Sequence, residues 1–138
     1  KFFDDSSHFV AGIISKIYNA KINNEKFVKL WGTGNPRREI MFNSEVARAI
    51  KFCLERKINE QNINIGTGID FMIKEYAIKI KRLLKYEGKI LWDKEQPDGI
   101  KSKLLDISIL KKYKFKHKVN IDEGLKIVIE DFIKKIKV

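Results

Sequence analysis

Short apolar runs alternate with longer amphipathic ones along nearly the whole chain, and this alternation limits the fold more than any other feature of the sequence. Residues 7–20 place Phe9, Val10, Ile13, Ile14 and Ile17 at helical spacing, with Ser6 or Ser7 able to cap the start and Asn23-Asn24 to end it. Residues 27–31 read as a strand, Gly32-Thr33-Gly34-Asn35-Pro36 as a turn, and 38–42 as a second extended stretch. Ser44 is placed to cap a helix over 45–57 with Val46, Ala47, Ile50, Cys53 and Leu54 on one face. Residues 62–65 alternate as a short strand ending at Gly66-Thr67-Gly68. A helix over 71–85 turns Ile73, Tyr76, Ala77, Ile80, Leu83 and Leu84 toward a core, and 89–92 form the next strand. Gln96-Pro97-Asp98-Gly99 is a turn, and a short helix follows at 107–112. The last helix starts at Asn120, where Glu123 completes a capping box, and buries Ile121, Leu125, Val128, Ile129, Phe132 and Ile136. The order α, β, β, α, β, α, β, α, α indicates an α/β fold of short strands with packed helices. No repeat, linker or low-complexity tract divides the 138 residues, so residues 1–138 are expected to form one unit with a real core.

Charge points two ways. Lys and Arg number 29 against 18 Asp and Glu, a net charge of +11. Such a balance favours a polyanionic partner such as nucleic acid or a phosphorylated ligand. Most of these cations are lysine, however, and Lys, Ile and Asn are abundant together, which reads as compositional bias on a solvated surface. The cations are also spread along the chain rather than blocked in one segment. The single cysteine, Cys53, excludes a disulfide framework and a four-cysteine zinc site. His8 and His117 are far apart, so no metal site is expected. No apolar run has the length of a membrane span. The chain begins at Lys1 without a methionine and enters a helical pattern almost at once, which reads as a piece of a longer protein of a reducing, cytoplasmic compartment.

Three segments carry chemistry. Ser7-His8-Phe9-Val10 puts a histidine at a helix start. Trp31-Gly32-Thr33-Gly34-Asn35-Pro36-Arg37-Arg38-Glu39 gathers an aromatic, a glycine turn and two arginines, and an arginine fork suits phosphate while an aromatic face suits a base. Pro97-Asp98-Gly99 leads into Lys101, Lys103 and Leu104-Leu105-Asp106. Each has a plainer reading as a cap, a charged hairpin or a turn. Gly66-Thr67-Gly68 after a strand has the flavour of a dinucleotide loop, but it lacks the third glycine and the later acidic residue, and reads as a tight turn.

In this order and spacing the strings resemble the C-terminal portion of the GDP-L-fucose synthase family, the GDP-4-keto-6-deoxy-mannose epimerase/reductases of the extended short-chain dehydrogenase/reductase group. The matching strings include Ile63-Asn64-Ile65-Gly66-Thr67-Gly68, Lys103-Leu104-Leu105-Asp106-Ile107-Ser108 and Glu123-Gly124-Leu125. The resemblance implies a small C-terminal substrate-binding domain that holds a GDP-sugar, with the Rossmann domain that binds most of the NADP mostly absent from this chain. It implies that His8 is the acid/base of epimerisation, beside the cofactor. It implies substrate contacts for Lys16, Trp31, Arg38 and Lys103, with Lys103 at the pyrophosphate, apolar contacts to the nucleotide for Phe9, Ile13 and Leu30, and a further basic contact for Lys89. It also implies a homodimer, held mostly through the absent domain, and neither nucleic acid nor membrane as partner.

The chain departs from the family pattern at Ile40-Met41-Phe42-Asn43-Ser44, at Phe9, and at Ile100 and Ser102. These departures leave open a related GDP-hexose or GDP-heptose 4-reductase. No tyrosine has a lysine four residues later, the pair such reductases use for proton transfer, and no Gly-x-x-Gly-x-x-Gly string occurs. The chain by itself is therefore expected to be inactive and to bind GDP weakly. A reading of another class, a basic nucleic-acid-binding module, predicts affinity that falls steeply with salt.

Overall fold

The computed structural model describes residues 8–136. The architecture is α/β: α1 (Phe9–Ile22), β1 (Phe27–Trp31), β2 (Arg37–Arg38), α2 (Asn43–Glu55), β3 (Phe71–Met72), α3 (Ile73–Leu83), β4 (Lys89–Asp93), β5 (Ser102–Lys103), α4 (Ser108–Lys112) and α5 (Ile121–Ile136). Two small sheets result. β1 and β4 pair in parallel, Phe27 opposite Lys89 and Trp31 opposite Asp93. β2 sits between β3, antiparallel, and β5, parallel.

The main core lies where α1, α3 and α5 meet the β1–β4 pair. Ile14, Ile17, Tyr76, Ala77, Ile80, Leu125 and Phe132 are buried there. β1 alternates strictly, Val28 and Leu30 inward and Phe27, Lys29 and Trp31 outward, as a half-buried strand should. Phe132 meets Tyr18 edge-on at 5.3 Å, tying α5 to α1. A second cluster gathers Ala49, Leu110 and Phe115, with Phe52, Cys53, Ile63 and Ile65 against it.

Several sequence expectations need correction. Residues 62–65 are not a strand. Ile63 and Ile65 pack on the second cluster, but no neighbouring strand offers them a ladder, and the strand forms later at Phe71–Met72. The extended stretch 38–42 is a strand only at Arg37–Arg38. β5 was not foreseen. The inward face of α2 is Glu45, Ala49, Phe52 and Cys53, whereas Ala47, Ile50 and Leu54 are exposed. The cause is Glu45, which is buried and accepts from Arg48 Nε at 3.1 Å and from Lys118 N at 3.0 Å. That anchoring rotates the helix away from its most apolar stripe. Ser44 lies inside α2 rather than capping it. The proposed caps of α1, Ser6 and Ser7, lie outside the described residues; His8 occupies the cap position without a side-chain bond.

Candidate functional site

The Trp31–Pro36 turn is the centre of the arrangement. It leaves β1, and its carbonyls serve the N-terminus of α3: Lys74 N donates to Gly34 O and Ile73 N to Pro36 O, each at 2.9 Å. Gly34 has φ +73, and a Cβ there would lie 2.6 Å from the Trp92 ring, so only glycine lets the turn close on β4. Trp31 is exposed, and Lys16 Nζ reaches across from α1 to 4.6 Å from its ring centroid.

The same turn is clasped to the Pro97–Gly99 turn. Thr33 donates its N–H and its hydroxyl to the two oxygens of Asp98, both at 2.6 Å. These hydrogen bonds hold the Asp98 carboxyl below the usual range. Two strings far apart in sequence are thereby one structural unit.

The two arginines of β2 divide. Arg37 is spent on Asp70: Nη2 lies 2.7 Å and Nε 2.9 Å from Oδ1. This pair lowers the Asp70 carboxyl and raises the Arg37 guanidinium. Arg38 has only carbonyls, Nη1 donating to Ile100 O at 2.6 Å and Arg37 O at 2.7 Å. Among the described residues no carboxylate neutralises it. Lys103 on β5 stands in register with Arg38, is exposed, and has no ion pair among the described residues. Two cations on neighbouring strands can therefore meet an anion together.

His8 is exposed at the start of α1, and Phe9 meets the Tyr76 ring at 5.3 Å. Tyr76 donates its hydroxyl to Arg38 O at 2.7 Å. Burial pushes the Tyr76 phenol up, so it stays a donor. The structure thus links Phe9, Tyr76, Arg38 and Lys103 on one side, and Lys16, Trp31 and Asp98 on the other, with the Arg38 bond to Ile100 O, just past the Pro97–Gly99 turn, joining the two.

Three expected contacts stand apart. Ile13 and Leu30 are core residues, 6% and 2% exposed. Lys89 is exposed but opens β4 opposite Phe27, at the end of the strand pair remote from Trp31. Four residues of strand separate them, about 13 Å.

The Gly66–Gly68 turn does hold an anion, but an internal one. Glu39 accepts from Gly68 N at 2.6 Å, from Thr67 Oγ1 at 3.0 Å and from Thr67 N. A Cβ on Gly66 would lie 2.5 Å from Glu39 Oε1. With its N–H groups so occupied, the turn does not fit a cofactor phosphate. The sequence strings contain Thr33 and Glu39 but give them no role, and Asp70 lies in none of them.

A groove of about 710 Å³ lies beside this unit. Val10, Ile40, Met41, Phe42, Asn43 and Tyr76 line it, among others on α5. No helix among the described residues is long and apolar enough to cross a membrane.

Comparison with known proteins gives a consistent result. Residues 2–66 match the NAD dependent epimerase/dehydratase family. The chain is 35% identical over 124 residues to probable GDP-L-fucose synthase 1 of Oryza sativa subsp. japonica, covering 90% of this chain and 38% of that protein. It superposes on a GDP-6-OMe-4-keto-L-xylo-heptose reductase from C. jejuni with a TM-score of 0.86 at 24% identity, over 98% of this chain and 50% of that one. It superposes on a GDP-L-fucose synthetase from Naegleria fowleri bound to NADP with a TM-score of 0.87 at 19% identity, over 100% of this chain and 44% of that one. The chain spans about two fifths of the length of the curated relatives it matches.

Proposed function

We propose that the chain, similar in sequence to GDP-L-fucose synthases, is the GDP-sugar-binding portion of an NADP-dependent GDP-4-keto-6-deoxy-mannose epimerase/reductase of the extended short-chain dehydrogenase/reductase family. The observation that carries this reading is the pair Arg38 and Lys103, in register on β2 and β5, neither of them in an ion pair among the described residues. Opposed to a diphosphate, a guanidinium and an ammonium supply charge-assisted hydrogen bonds. Trp31, steadied by Lys16, offers an aromatic face to the nucleotide side.

In this reading His8, exposed at the cap of α1 and making no side-chain cap bond, takes and returns a proton on the sugar during epimerisation. NADP supplies the hydride when bound, and the portion of the enzyme outside this chain holds most of it. No residue of this chain replaces the Tyr-x-x-x-Lys pair, so the chain alone turns over nothing. The complete enzyme is cytoplasmic and dimeric, and it binds neither nucleic acid nor membrane.

The test is Arg38→Ala and Lys103→Ala in the full-length enzyme. Each is expected to raise the KM for the GDP-sugar about tenfold or more, the loss of one charge-assisted contact. An unchanged KM in both would refute the site.

A second reading is a GDP-hexose or GDP-heptose 4-reductase. It is favoured by Ile40–Asn43, which depart from the family pattern and line the groove. It keeps the GDP contacts and alters the sugar end, so turnover of alternative GDP-4-keto-sugars distinguishes the two.

A further inference from the structure

Arg38 and Lys103 serve a diphosphate only while β2 and β5 stay in register. Main-chain pairing between them is minimal. Each strand has two residues, and the flanking bonds are Arg37 N to Lys101 O at 2.9 Å and Glu39 N to Lys103 O at 3.1 Å. In a parallel ladder the next N–H, that of Leu105, is sent to the Glu39 carbonyl. Here it is sent to the side chain: Leu105 N donates to Glu39 Oε2 at 2.9 Å. The other oxygen, Oε1, is filled by Gly68 N, Thr67 Oγ1 and Thr67 N. One carboxylate thus joins β2, the Gly66–Gly68 turn and the exit of β5. No cation pairs with it among the described residues; N–H and O–H donors hold it entirely.

Resting on the reading of Arg38 and Lys103 as diphosphate contacts, we propose that Glu39 is the positioning residue that fixes their separation. Its two oxygens are both needed. A carboxylate accepts on each side of the clamp, whereas a glutamine has one acceptor and turns an NH₂ toward a donor on the other. Replacing Glu39 by Gln therefore opens one side of the clamp while keeping size and shape. The exit of β5 then drifts, and with it Lys103. A residue that merely stabilises the fold would change thermal stability without favouring one substrate.

The experiment uses the full-length enzyme with E39Q and E39D, and with R38A and K103A beside them. The readouts are KM for the GDP-sugar, KM for NADPH, kcat and the thermal midpoint. E39Q is expected to raise the GDP-sugar KM about tenfold and to leave the NADPH KM and kcat within about twofold. E39D keeps both acceptors on a shorter stem, and its GDP-sugar KM is expected to fall between wild type and E39Q. The proposal is overturned if folded E39Q keeps its GDP-sugar KM within about twofold, or if both KM values and kcat move together. Should E39Q fail to fold, the GDP-sugar KM of E39D decides by the same criteria. If R38A and K103A also leave the KM unchanged, the diphosphate site itself is wrong. If they raise it and the Glu39 variants do not, only the clamp is wrong.

Discussion

Neighbouring residues of like charge have different fates here, and the fates are set by what stands opposite. Arg37 faces Asp70 and is neutralised; Arg38 faces carbonyls and keeps its charge. The sequence marks both as a candidate phosphate fork, because Asp70 is 33 residues away and nothing local announces the pairing. Asp98 is a parallel case: Pro-Asp-Gly reads as a turn, and its clasp on Thr33 spans 65 residues. Asp70 and Asp98 both have carboxyls held below their ordinary values. Their bonds therefore stabilise the fold fully above the unfolded aspartate pKa, near about 4, and are lost as pH falls through the lower folded values. Asp98→Asn is expected to lower the thermal midpoint at neutral pH, and the gap to wild type is expected to narrow as pH drops below about 4. A gap that is constant with pH would contradict this assignment.

Elements were legible in proportion to their length. α1, α3 and α5 span enough turns for a 3.6-residue period to show, and their inward faces are as the pattern predicts. β2, β3 and β5 have two residues each, too few for any period, and exist only through long-range pairing. α2 shows periodicity misled by a buried charge, since anchoring of Glu45 outweighs the exposure of Ile50 and Leu54. Two stability predictions belong at this scale. Phe132 is 1% exposed and bridges α5 to α1, so Phe132→Ala is expected to destabilise by about 3–5 kcal/mol in denaturant unfolding. Lys85, just past α3, is held at φ +53, a left-handed conformation that disfavours side chains. Lys85→Gly is therefore expected to stabilise by about 1 kcal/mol.

At the scale of the molecule, two turns and two short strands bring Lys16, Trp31, Arg38, Asp98 and Lys103 into one connected unit, while the helices behind them supply the core. The linear strings foreshadowed which residues meet, but not the acids that arrange them, because Glu39, Asp70 and Asp98 act only across distant segments. In the proposed reading the net charge of +11 is background rather than a nucleic-acid face. Titration with single-stranded DNA and RNA at low salt is expected to show no saturable binding; tight binding that weakens steeply with salt would reverse that view. The most direct test of the central claim is calorimetric titration of GDP into this chain. Saturable binding in the high-micromolar to millimolar range, roughly −4 to −5.5 kcal/mol, is expected, weakened about tenfold by Arg38→Ala and by Lys103→Ala. No saturable binding at millimolar GDP, or binding untouched by both substitutions, would contradict it.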